Sequence, residues 1–167
     1  MDSNHILFCL DLEGTIISNA VSQIPRPGVF RFLTFLAKHG KTVLFTSVSP
    51  ERTSMIKSLL VSEGHASEWF ADLESLHPDA TIKSKSFAEA YSPESLEYYL
   101  IDDKAACVAN EEYDWWVSVP EFLPPYDMND DELTRVKTAL EDRLGIPHPW
   151  QYLHKEYKLG VQQTFIA

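Results

Sequence analysis

The sequence has little cysteine, little basic charge and no long hydrophobic run. Cys9 and Cys107 are the only cysteines among 167 residues. Nothing in that pattern supports a disulfide, and both thiols read as core or near-core residues. No cysteine–histidine spacing resembles a zinc site. The six histidines are scattered singly, so none is assigned a catalytic role. Lys and Arg number 14 against 25 Asp and Glu, a formal charge of −11. A surface built for a nucleic-acid backbone or an anionic membrane needs the opposite balance, although a single cleft can still be locally positive. No apolar stretch is long enough to span a bilayer. The first strand is expected to begin near His5, which leaves no room for a signal peptide and makes the cytoplasm the default location. Repeats and low-complexity segments are absent.

What is present is an ordinary globular composition, 44% hydrophobic and 23% charged, in a length that suits one domain over residues 1–167 with a real core. Ile6 to Leu10 is a continuous apolar run, as a strand buried on both faces should be. It ends in DLEGT, where Gly14 lets the chain turn sharply. An irregular loop is expected up to Pro25, then a helix from about Pro27 with Phe30, Leu33 and Ala37 on one face and Gly40 at its end. Thr42 to Phe45 reads as a second buried strand. Ser49-Pro50-Glu51 is a strong helix start, followed by an apolar stripe of Met55, Ile56, Leu59 and Leu60. Trp69 to Leu76 is ambiguous, with a turn at Pro78, and Phe87 to Tyr91 suggests a short helix. Tyr98 to Ile101 is a strand that runs into Asp102-Asp103. Trp116 to Val119 is the last strand, stopped by Pro120. Leu133, Val136, Leu140 and Leu144 recur at helical spacing, with Asn129 or Asp130 as the cap and Gly145 as the stop. The tail from Pro147 is aromatic and aperiodic. This alternation predicts an α/β fold with a parallel sheet covered on both faces.

In such sheets a ligand site lies beyond the carboxyl ends of the strands. Asp11 and Glu13 follow the first strand, Thr46 the second, and Asp102 and Asp103 a later one; Lys83 or Lys85 lies in a loop. Removal of a phosphate calls for these types together. A carboxylate can attack phosphorus and form an acyl phosphate. Clustered carboxylates repel one another and the phosphate unless a hard dication with oxygen ligands intervenes, and Mg²⁺ suits that role. A hydroxyl and an ammonium can hold the other phosphoryl oxygens. A second acid can protonate the leaving oxygen.

DLEGT after an apolar strand, LFTS at 44–47, a lysine, and LIDD at 100–103 resemble, in order, the four motifs of the haloacid dehalogenase superfamily. RPGVFRFL at 26–33, VLFTS at 43–47 and PPYDMNDDELTRVKTAL at 124–140 resemble the branch that includes the phosphatases of the RNA polymerase II C-terminal domain, the NLI-interacting-factor-like proteins. The resemblance covers residues 6–144. It implies a three-layer Rossmann-like fold and a Mg²⁺-dependent phosphatase working through an aspartyl-phosphate. Carried over, Asp11 is the nucleophile and a metal ligand, and Glu13 the general acid, with its backbone carbonyl on the metal. Thr46 binds the phosphoryl group, with Ser47 beside it, and so does a lysine, for which Lys85 suits the branch's spacing to Asp102 better than Lys83. Asp103 is the more direct metal ligand, and Asp102 a second ligand or its support. Two departures stand out. The branch usually has Asp where Glu13 stands, as enolase-phosphatase relatives have Glu. A short loop also replaces the inserted hairpin with which the polymerase-tail phosphatases bind peptide.

Other readings bound these expectations. Retention of the fold with weak or no catalysis would make the chain a binding module, and a phosphotransferase would differ only in the acceptor. Arg26, Arg52 and Lys57 are expected to be solvated, Trp115 and Trp116 to pack, and 127–142 to present one solvated helix face. Neither the Glu13–Arg26 nor the Thr46–Lys85 stretch has room for a large cap. An open site with a minimal cap or none is therefore expected, taking a phosphorylated partner: first a phosphoprotein, then an exposed small phosphate monoester, with a nucleic acid disfavoured by charge.

Overall fold

The computed structural model describes residues 5–78 and 81–147. The expectation for the tail concerns residues 148–167, which lie outside them. Five parallel strands form one sheet in the order β3-β2-β1-β4-β5: β1 (Ile6–Leu10), β2 (Lys41–Phe45), β3 (Ser75–Leu76), β4 (Glu97–Asp102) and β5 (Trp116–Ser118). The ambiguous stretch resolves into a 3-10 turn at Glu68–Phe70 and the two-residue edge strand β3. Every residue of the central strand β1 is buried, which is why its sequence is apolar without alternation.

Among the described residues four helices flank the sheet: α1 (Val29–His39), α2 (Pro50–Ser62), α3 (Lys85–Tyr91) and α4 (Glu132–Arg143). On one face Phe8 and Leu10 share a core with Phe32, Leu36, Ile56 and Leu140 from α1, α2 and α4. On the other, Leu7 and Cys9 pack with Ala88 of α3 and with Val108 and Trp115. Burial pushes the Cys9 thiol up to about 12, against a small pull from Lys83, so it is an inert core group.

Two helix faces differ from their sequence reading. In α1 the buried residues are Val29, Phe32, Leu33, Phe35 and Leu36, while Phe30 is exposed and Ala37 is too. The stripe at 29, 32, 33 and 36 follows the i, i+3, i+4, i+7 pattern, and Phe30 falls off it. In α2 Thr53, Ile56 and Leu60 are buried and Met55 is exposed. For α4 the expected stripe of Leu133, Val136, Leu140 and Leu144 is the buried one. Asp130 Oδ1 accepts from the Glu132 N–H at 3.1 Å at its start. The stretches 14–25 and 46–84 hold no inserted domain among the described residues. No helix there is long and apolar enough to cross a membrane.

Candidate active site

Strand register brings the acids together. Leu10 lies level with Leu44 on one side and Ile101 on the other, so the residues that follow all emerge at the carboxyl edge of the sheet. The Asp11 N–H donates to the Ile101 carbonyl at 2.9 Å, which extends the ladder by one residue and aims the next turn away from the sheet. Gly14 makes that turn at φ 74°. A Cβ there would stand 2.5 Å from Asp103 Oδ2, so both the backbone conformation and the close approach require glycine.

Asp11, Asp102 and Asp103 can each offer a carboxylate oxygen within 4.8 Å of the others. Asp11 and Asp102 are buried and Asp103 is half-buried. Lys83 Nζ donates to Asp11 Oδ1 at 2.6 Å and to Asp102 Oδ2 at 2.5 Å. Asp102 Oδ1 accepts from the Lys104 N–H at 2.7 Å. Asp103 Oδ2 is buried without a hydrogen-bond partner among the described residues. Burial pushes the Asp11 carboxyl up to about 7 against the pull of Lys83, and Asp102 adds to the rise. Burial, then Asp102, raises Asp103 as well. Burial by itself would lower the Lys83 ammonium, but Asp11 and Asp102 more than offset it and hold its pKa above the ordinary value.

The two lysines take different places, against the expectation that Lys85 joins the acids. Lys83, 3% exposed, is the ammonium in the cluster; Lys85 is not. Lys83 lies in an extended segment pinned by its N–H to the Cys107 carbonyl at 2.7 Å. Two residues later the chain has turned into α3. There the Lys85 N–H donates to Glu112 Oε2 at 2.7 Å, and its side chain lines a separate hollow with Glu97 and Asp114. Lys83→Met is therefore expected to lower kcat/KM by about 100-fold or more, the scale of losing one preorganised charge donor. Lys85→Met should change it by less than about 2-fold, because surface substitutions are usually nearly silent. Phosphate release by the two variants decides between the lysines.

The remaining sequence candidates surround this cluster. Glu13 and Ser47 line the same cleft, about 380 Å³, together with Lys104. Glu13 Oε1 accepts from the Ala20 N–H at 2.5 Å. Thr46 sits at the end of β2, 1% exposed, where its Oγ1 accepts from the Val48 N–H at 3.2 Å. Sequence reasoning missed Thr15. Its Oγ1 lies 3.3 Å from both Asp11 Oδ2 and Asp103 Oδ1, so its one proton can serve either carboxylate. The signal was available: the hydroxyl follows Asp11 by one helical-turn spacing within DLEGT. Lys104 was also missed, though it directly follows the acid pair.

Arg26 overturns its expected exposure. It is 2% exposed; Nε and Nη2 each donate to Asp130 at 2.9 Å, and Nη1 donates to the Pro120 carbonyl at 2.7 Å and those of Gly14 and Thr15 at 3.3 Å. A planar fork of donors satisfied this fully tolerates burial. Arg52 and Lys57 also bind backbone carbonyls, of Ala20 and Leu73. Trp115 is buried as expected, and Trp116 Nε1 donates to the Asp102 carbonyl at 2.9 Å. A larger groove, about 810 Å³, lies between α1 and α4. Among the described residues no carboxylate lines it, whereas Asp11, Glu13 and Asp102 line the smaller cleft.

This constellation has a family to match. A model of the NLI interacting factor-like phosphatases matches residues 2–147. The chain belongs to that family. As an NLI interacting factor-like phosphatase it lies in the haloacid dehalogenase superfamily, and the strand-end acids are its candidate catalytic apparatus. No curated protein matches the sequence.

The acids also fit a divalent cation. When all three are ionised, the carboxylates against one Lys83 ammonium give a net charge of −2, and Asp103 Oδ2 is buried without a hydrogen-bond partner among the described residues. Hard oxygen ligands of this number suit Mg²⁺.

Proposed function

We propose that the chain is a Mg²⁺-dependent phosphatase, organised as one domain, that removes phosphate from an ester through an aspartyl-phosphate on Asp11. The observation that carries this is the buried Asp11 carboxylate held by Lys83 at 2.6 Å, with Asp102 and Asp103 beside it. Asp11 and Asp103, with the Glu13 backbone carbonyl, would hold the metal. Asp102 supports them, since both of its oxygens already accept hydrogen bonds. When bound, the cation supplies Lewis-acid neutralisation of charge on the phosphoryl oxygens.

In the first step Asp11 forms a bond to phosphorus while the ester P–O bond breaks, and the leaving oxygen takes the Glu13 proton. In the second, water attacks the acyl phosphate and gives its proton back to Glu13, while Asp11 leaves as a carboxylate. Lys83 holds the Asp11 carboxylate in place and offsets charge on the phosphoryl group. Thr46 and Ser47 close the phosphate site from β2. With no inserted domain among the described residues, a phosphate projecting from a protein surface can reach Asp11. The charge of −11 disfavours a nucleic-acid end. A cytoplasmic setting agrees with a phosphoprotein substrate.

The test compares kcat/KM for a phosphopeptide library with that for sugar and nucleotide monophosphates, in Mg²⁺ and in chelator. Turnover of peptides, lost in chelator and restored by Mg²⁺, is the expected result. One small metabolite favoured about 10³-fold over every peptide, roughly 4 kcal/mol of discrimination, would overturn the phosphoprotein reading. Full activity in chelator would overturn the metal.

A further inference from the structure

Glutamate at position 13 raises a positional problem. An extra methylene moves a carboxyl by roughly 1 Å, and misplacement of that size can cost about 100-fold in rate. Something has to hold the longer side chain where it works. The holder is the loop 18–24. The Ala20 N–H donates to Glu13 Oε1 at 2.5 Å, and Oε2 has no protein hydrogen bond among the described residues, so it remains free for the leaving oxygen. Several bonds stiffen the loop around Ala20. Asn19 Oδ1 accepts from the N–H groups of Val21 and Ser22 at 2.9 and 2.8 Å. Ser18 Oγ accepts from the Ile24 N–H at 3.0 Å. Gln23, at φ 55°, donates from Nε2 to the Ala20 carbonyl at 3.0 Å.

All of those bonds lie within the loop; outside them the Ser18 carbonyl accepts from the Gly14 N–H at 3.2 Å and Ala20 packs against the core. Arg52 ties it down. Its Nε donates to the Ala20 carbonyl at 2.8 Å. Its backbone N–H donates to Ser49 Oγ, the cap at the start of α2, so its side chain springs from the helix that begins three residues after Ser47. The Glu13 and Arg52 bonds engage the two peptide groups either side of the Ala20 Cα, and Gln23 shares the carbonyl with Arg52. Arg52 therefore sets where Ala20 sits, rather than how strongly its N–H donates.

We propose that Arg52 is a positioning residue for the general acid: through Ala20 it fixes the Glu13 carboxyl relative to the phosphate site that begins at β2. This rests on Glu13 being the acid. Arg52 itself touches neither Asp11 nor Lys83 and takes no proton.

The experiment measures kcat and KM for β-glycerophosphate, whose alkoxide leaving group needs a proton, and for p-nitrophenyl phosphate, whose leaving group needs little. The variants are Arg52→Met, Arg52→Lys, Glu13→Gln and the Arg52→Met/Glu13→Gln double, with Lys57→Met as a control that removes a different cation–carbonyl tie on the same helix. Arg52→Met is expected to lower kcat/KM about 10-fold on the alkyl ester, through kcat, below the roughly 100-fold of a full 1 Å misplacement. It should change the aryl ester by less than about 2-fold, and Arg52→Lys should recover part of the loss. In the Glu13→Gln background Arg52→Met should change nothing further, as expected when two residues act through one group. Lys57→Met should leave the ratio of the two substrates unchanged. Equal losses on both esters in Arg52→Met, or a raised KM with kcat kept, would overturn the proposal while Glu13→Gln still reports an acid. If Glu13→Gln itself loses equally on both esters, the acid reading fails and the positioning role fails with it.

Discussion

Asp11→Asn is expected to abolish turnover of every phosphate ester while the protein stays folded. The substitution keeps the shape of the side chain and removes the charge that attacks phosphorus, so no acyl phosphate can form. Uncatalysed hydrolysis of phosphate monoesters is among the slowest of biological reactions, and the residual rate should fall below detection. Stability should move the other way. Burial holds the Asp11 carboxyl at about 7 in the folded protein, above its ordinary 3.8. A group raised in this way stabilises the fold at low pH and loses that contribution as pH climbs from about 4 towards 7. Near neutral pH, without metal, an uncharged amide at position 11 should melt no lower than the parent chain. The Lys83 ammonium keeps Asp102 as its partner at 2.5 Å. Thermal melts in chelator beside a phosphate-release assay give both readouts. Full activity of Asp11→Asn would dispose of the nucleophile. A drop in melting temperature large enough to unfold the variant would show that the carboxylate is there for structure.

Glu13→Gln is expected to cost about 10²- to 10⁴-fold on an alkyl phosphate, the usual range for losing a general acid, and much less on p-nitrophenyl phosphate. The amide keeps an oxygen that can accept from the Ala20 N–H, so the loop 18–24 should hold and the loss report the missing proton. The substrate comparison matters more than the size of the effect. A structural defect lowers both rates together, whereas loss of an acid discriminates by leaving group. Equal losses would remove Glu13 from the chemistry. Absence of turnover in the unmodified chain, with any ester and Mg²⁺, would favour a binding module built on the same fold.

These predictions rest on two kinds of information. Local sequence was enough for the frame. The runs at Ile6–Leu10 and Thr42–Phe45 read as strands covered on both sides, and the stripe from Leu133 to Leu144 as an amphipathic helix. Once the strands are parallel, chain direction puts Asp11, Thr46 and Asp102-Asp103 at one edge of the sheet, because each is the first polar residue after its strand. Spacing along the chain says much less about which way a side chain outside an element points. Lys83 and Lys85 are equivalent by charge and nearly so by position. The choice between them depends on where α3 begins and on a backbone bond to Cys107, a residue distant in sequence. Arg26 reads as solvated until Asp130 and the Pro120 carbonyl are found to surround it. Phe30 and Met55 read as core until neighbouring elements fix how their helices are rotated. Whether Glu13 is held was beyond the sequence for the same reason: its partner is a backbone N–H in an irregular loop, and that loop is bound by an arginine from α2. Periodicity records which residues must leave water; partners between separate segments exist only once the chain has closed on itself.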